Sequence, residues 1–223
     1  MTSSSHTAAV EHTVRVPGAG VQLDGALTIP SDADGVVLFA HGSGSSRHSP
    51  RNQYVAQSLV DGGLATLLID LLTPHEEKVD AVTRHHRFDI NLLAGRLTAA
   101  IDWLASEPST RDLSVGLFGA STGGGAALVA AADRPERVGA VVSRGGRPDL
   151  AGPVLAAVQS PTLLIVGERD EMVIQLNKQA MRAMRAPVQL EIVPRATHLF
   201  EEPGTLEEVA RLARGWFARH LSR

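Results

Sequence analysis

The sequence predicts an α/β protein built on a mostly parallel, doubly wound sheet with helices on both faces. Three observations point there: continuous apolar runs of strand length, helical apolar patterns lying between them, and a hairpin-like pair of alternating segments near the N-terminus. Continuous apolar runs belong to strands covered on both faces. Strands that alternate with helices join most simply as parallel neighbours.

Taken in order, Met1 to His12 is rich in Ser, Thr and Ala and reads as a flexible tail, with 13–223 as one domain. Thr13–Val16 and Val21–Ile29 alternate as strands and are joined at Pro17-Gly18-Ala19-Gly20, a turn signal. Apolar runs follow at Val36–Ala40, Ala65–Ile69, Val115–Phe118, Val138–Val142, Thr162–Val166 and Val188–Val193. Helical patterns fall at Arg51–Asp61, Asp89–Ser106, Thr122–Ala132, Val173–Met184 and Thr205–Leu221, with a short one near Leu150–Val158. Asp89–Ser106 is the clearest, because Ile90, Leu93, Ala94, Leu97, Ile101 and Leu104 share one stripe and Pro108 prevents continuation. Leu71–Arg87 is polar and reads as a solvated loop.

Composition narrows the function classes. A chain of 223 residues with 43% hydrophobic and 20% charged residues suits one compact domain. A formal net charge of -3 gives no reason to expect nucleic acid or an anionic membrane as partner. The absence of cysteine excludes disulfides, thiolate catalysis and cysteine zinc sites. No basic n-region precedes an apolar run, and no apolar stretch reaches bilayer length, so the expected location is cytoplasmic.

The chemistry centres on Gly119-Ala-Ser121-Thr-Gly123, a G-x-S-x-G pattern between a strand and an alanine-rich helix. That context puts the serine on a tight strand-to-helix turn, its hydroxyl exposed at the positive end of the helix. The bland alternative is a glycine-rich βα turn without a nucleophile. A dinucleotide fingerprint is disfavoured because several strands precede the turn and the G-x-G-x-x-G spacing fails. A P-loop is excluded because no Lys follows the glycines.

A serine hydroxyl needs a base, and the base needs an orienting acid. Asp170, in Gly167-Glu-Arg-Asp170, and His198, in Thr197-His198, follow Ser121 in the order this turn requires, each just past an apolar strand. Asp170 could instead cap the next helix, and Glu168 and Glu171 are neighbouring candidates for the acid. The backbone N–H groups of Thr122 and of Ser43, in His41-Gly-Ser-Gly44, are the expected oxyanion donors. His41 is expected to make a structural hydrogen bond. Asp70 is expected to anchor a loop, with contact to the chemistry as the alternative.

Arg144 and Arg147, in Ser143-Arg-Gly-Gly-Arg147, could bind an anionic substrate group, or could form salt bridges to acids such as Asp149. His75, His85 and His86 lack metal-ligand spacing, so neither metal nor organic cofactor is expected.

These motifs resemble the α/β-hydrolases, most closely the dienelactone-hydrolase-like branch, from about Val21 to Leu221. The resemblance implies an eight-stranded, mostly parallel sheet and cofactor-free hydrolysis of an ester or lactone. Dienelactone hydrolases proper carry a cysteine nucleophile where this chain has Ser121, which leaves the substrate open. Only 143–160 lies where relatives insert a cap, so an uncapped site is expected. The expected function is a serine esterase or lactonase acting through an acyl-enzyme on a small molecule, anionic or neutral, as a monomer or homodimer. The alternatives are a non-catalytic binding protein of the same fold, or an acyltransferase or thioesterase using the same triad.

Overall fold

A computed structural model describes residues 9–221. Its sheet contains β1 (Val10–Gly18), β2 (Val21–Ile29), β3 (Gly35–Ala40), β4 (Ala65–Ile69), β5 (Ser114–Ala120), β6 (Val138–Arg144), β7 (Thr162–Gly167) and β8 (Val188–Val193). The strand order is β1-β2-β4-β3-β5-β6-β7-β8. β1 and β2 are antiparallel, β2 runs antiparallel to β4, and every later pairing is parallel. The reversal at β3 and β5 is the topological switch of a doubly wound sheet, where ligand sites form at the carboxyl ends of the strands.

The helices are α1 (Pro50–Val60), α2 (Pro74–Thr83), α3 (Ile90–Ser106), α4 (Thr122–Asp133), α5 (Glu171–Ala183) and α6 (Thr205–Leu221). They cover both faces and bury two apolar clusters. Leu38, Leu67 and Leu117 pack toward α3 and α4, while Val37, Phe39 and Phe118 pack toward α1 and α6. Both sets are fully enclosed, which explains the uninterrupted apolar runs.

The hairpin turn falls at Ala19-Gly20, with φ of 47° and 89°. Two left-handed residues in a two-residue loop match the twist of the flanking strands. β1 begins at Val10 rather than Thr13, so 10–12 belong to the sheet and not to the expected tail; 1–8 of that tail lie outside the described residues. Between β6 and β7 the chain forms only a 3-10 segment, Pro148–Ala157, broken at Gly152.

The larger correction concerns 71–87. It is not a plain loop: α2 and a 3-10 turn, His86–Phe88, occupy most of it. Thr73 caps α2 in a full capping box with Glu76, and Pro74 opens the helix. Asp80 is the sole buried residue of α2. It takes the Arg87 N–H at 3.0 Å and Arg87 Nε at 2.5 Å, so a polar clasp rather than an apolar stripe holds this segment.

Candidate active site

Ser121 stands where β5 passes into α4, at φ 51° and ψ −123°. A non-glycine residue in that region costs about 1–3 kcal/mol, so the surroundings must enforce it. Its N–H donates to Arg144 O at 3.2 Å, and its carbonyl accepts the N–H groups of Gly124 at 3.0 Å and Arg147 at 3.1 Å. The flanking glycines are needed for contact. A Cβ on Gly123 would lie 2.2 Å from Ala40 O, and one on Gly119 would lie 2.5 Å from Gly124 Cα.

Asp170 and His198 come together. His198 Nδ1 lies 2.5 Å from Asp170 Oδ2, with Asp170 mostly enclosed and the imidazole more than a third exposed. Asp170 occupies the N-cap position of α5, yet its side chain caps nothing, so the capping alternative does not describe it. Glu168 is occupied elsewhere: its Oε2 accepts the Arg195 N–H at 2.7 Å.

The loops carrying Asp170 and His198 are laced together. Glu168 N–H donates to Val193 O at 3.0 Å and Arg169 N–H to Ala196 O at 2.9 Å. Glu202 Oε2 accepts the Thr197 N–H at 3.1 Å. Gly145, at φ 51°, backs the imidazole; a Cβ there would be 3.5 Å from His198 Nδ1. The same segment adjoins the serine through Arg144 O. Among the described residues the Ser121 hydroxyl has no hydrogen-bond partner.

The oxyanion candidates also lie at this edge. Thr122 is the first residue of α4, so its N–H has no acceptor within the helix. Gly42 packs on the serine, and a Cβ there would lie 3.2 Å from Ser121 Cβ, which brings the loop containing Ser43 beside Ser121. His41 shapes this loop. Its Nε2 accepts the Leu71 N–H at 2.9 Å, which leaves Nδ1 to donate to Gly42 O at 2.9 Å. Burial pushes its pKa down, so the ring stays neutral in this structural role.

From Gly42 a cavity of about 510 Å³ extends between the 41–50 loop, Leu71, Leu72 and Leu93, with Asp80 and Arg87 on its far wall. Asp70 anchors this region through the Arg47 side chain and the Arg47 N–H. Arg147 is paired in two-pronged fashion with Asp149, at 2.8 and 2.7 Å, which is the salt-bridge alternative for that residue. Arg144 is buried and reaches Asn52 Oδ1 at 3.3 Å. Among the described residues no group of three or more His, Asp or Glu side chains could hold a metal ion, and no helix is long and apolar enough to cross a membrane. Asn52 and Glu202 escaped sequence reasoning, since neither belongs to a motif. The capping box of α2 was legible as Thr73-Pro-x-Glu76.

The profile of the dienelactone hydrolase family matches residues 23–220. The chain belongs to that family. A crystallised dienelactone hydrolase from Anabaena variabilis is 61% identical, with a TM-score of 0.94 over 96% of this chain and 99% of that one. Est1E from Butyrivibrio proteoclasticus, at 15% identity, shares the fold with a TM-score of 0.77 over 93% of this chain and 98% of its own. Two curated Mycobacterium tuberculosis proteins, provisionally named phosphoribosyl transferases, are 59% identical over 208 residues. That alignment spans 93% of this chain and 46% of theirs, so the chain covers about half the length of those relatives. Family membership makes the chain a dienelactone hydrolase-like α/β-hydrolase.

Proposed function

We propose that the chain is a serine hydrolase that opens a carboxylic ester or lactone through an acyl-enzyme. The observation that carries this reading is the 2.5 Å contact of His198 Nδ1 with Asp170 Oδ2, made at the sheet edge where Ser121 sits in its left-handed turn. The carboxylate holds the imidazole in the tautomer whose Nε2 is free to accept a proton.

In the forward step Ser121 Oγ attacks the ester carbonyl while His198 Nε2 takes its proton. Negative charge gathers on the former carbonyl oxygen, and the N–H groups of Ser43 and Thr122 are the donors aimed there. Collapse breaks the bond to the alkoxy oxygen, which receives the proton from His198. Water then attacks the acyl group, His198 takes its proton, and Ser121 leaves protonated. Three side chains and two backbone N–H groups suffice, and no step calls for a cofactor.

Solvent reaches His198 directly, so water is available to take the acyl group. The transferase name of the longer relatives describes proteins of which this chain matches less than half. We assign no phosphoribosyl chemistry to this site. The reading is tested by intact-protein mass spectrometry after brief mixing with p-nitrophenyl acetate. One acetyl group on Ser121 supports it; ester turnover with no adduct, equally fast in Ser121→Ala, contradicts it.

A further inference from the structure

The two arginines of the 143–147 segment have opposite fates. Arg147 is neutralised by Asp149. Arg144 is 8% exposed and among the described residues has no carboxylate partner. Its Nη2 donates to the neutral Asn52 Oδ1 at 3.3 Å, and its Nη1 is buried without any hydrogen bond. The charge facing it is another cation, Arg51, whose Nε is likewise buried and unpartnered. Burial, and then Arg51, push the Arg144 guanidinium down to about 10, which leaves it charged at neutral pH.

The first turn of α1 adds to this excess. It carries both Arg51 and Asn52, contains no acidic residue, and directs the positive end of the helix toward the same place. A buried cation without an anion is strongly unfavourable, and proteins retain such arrangements where function uses them. Among the described residues the acid in contact is Glu201, which meets Arg51 Nη1 at 3.3 Å on the surface, with 63% of its own side chain exposed. An ion pair so open to water contributes little and is readily exchanged.

We propose that Arg144 and Arg51 form an anion subsite of the catalytic centre, which takes a carboxylate or phosphate group carried by the substrate as Glu201 swings away. Position supports this assignment. Arg144 is the register partner of Ala120, the residue before Ser121, and its carbonyl accepts the Ser121 N–H. In the strand order β5 lies between β3 and β6. The Arg144 backbone therefore adjoins the serine, and its guanidinium reaches Asn52 in the first turn of α1, next to Pro50, which lines the cavity at Gly42. The two guanidiniums thus lie between the serine strand and the helix that borders the cavity, and their forked donors suit an oxyanion.

The proposal rests on the hydrolase reading only for the word substrate, so the experiment has a binding arm and a kinetic arm. Thermal unfolding is followed in phosphate and in chloride at equal ionic strength. Phosphate should raise the wild-type midpoint by roughly 2–4 °C. Arg144→Met and Arg51→Met should abolish the shift, Ser121→Ala should keep it, and Glu201→Gln should enlarge it by removing the competing carboxylate. The surface variant Glu201→Gln keeps the test open if Arg144→Met folds poorly.

In the kinetic arm phosphate should raise KM for a neutral ester while leaving kcat unchanged. Of two matched pairs, aryl hemisuccinate against aryl butyrate and 4-carboxyphenyl acetate against phenyl acetate, one should favour the charged member about tenfold or more. No phosphate shift, or an equal shift in the arginine variants, overturns the subsite. A shift lost in the variants but without competition or charged-ester preference means the site holds a free anion, which overturns the substrate assignment. An intact shift in a protein that hydrolyses no ester instead counts against the hydrolase reading.

Discussion

His198 Nδ1 and Asp170 Oδ2 lie 2.5 Å apart although the residues are separated by 28 positions in the chain. Strands β7 and β8 are hydrogen-bonded neighbours, so the loops that leave them emerge side by side. Asp170 thus meets His198 because two parallel strands end together. Glu168 and Glu202, which hold backbone N–H groups of the histidine loop, keep the contact in register.

Asp170→Asn should lower kcat for p-nitrophenyl acetate by about 10⁴, because the amide no longer enforces the imidazole tautomer. Glu168→Gln should lose far less, since a Gln carbonyl can still accept the Arg195 N–H. Steady-state kinetics on the two variants check this, and the opposite ranking would identify Glu168 as the acid.

The glycine pattern around the serine is a packing requirement, and its consequence is measurable by urea unfolding. Gly123→Ala would press a methyl group against backbone at 2.2 Å and should destabilise by about 3 kcal/mol or more. Gly95→Ala, in α3 with nothing within 4 Å of the new atom, should stabilise by about 0.5–1 kcal/mol. Equal effects at the two sites would show that the elbow relaxes freely.

Most of the sheet was legible because buried parallel strands leave an unmistakable mark. Ala65–Ile69 and Val188–Val193 occur at the expected bounds, as does the helix Thr205–Leu221. The order Ser121, Asp170, His198 could be read because each follows a strand. α2 was missed for a physical reason. It buries only Asp80, so it has no apolar stripe to detect, and polar bonds to Arg87 and Arg96 hold it instead. The divergence of Arg144 from Arg147 was equally hidden. One meets an acid two residues away, while the other meets Asn52, 92 residues away and outside any motif.

That polar attachment gives α2 a pH signature. Burial alone would raise the Glu76 carboxyl, but its bonds to Arg96 and Thr73 outweigh burial and lower it from 4.5 to about 2. A depressed carboxylate contributes stability above its unfolded value and loses it as pH falls through the folded one. The stability difference between wild type and Glu76→Gln should therefore be full above about pH 5, shrink below it and vanish near pH 2. Urea midpoints across that range check this. A difference that stays constant with pH would show that the Glu76 charge contributes nothing.

The central claim is that Ser121 is the nucleophile, and a fluorophosphonate probe reports on it most directly. Wild type should be labelled stoichiometrically, with the phosphonyl group on Ser121 and ester hydrolysis lost in step. Ser121→Ala should take no label and should lose up to about 10⁶ in kcat. Labelling of Ser121→Ala at the wild-type rate, or undiminished turnover by that variant, would contradict the account.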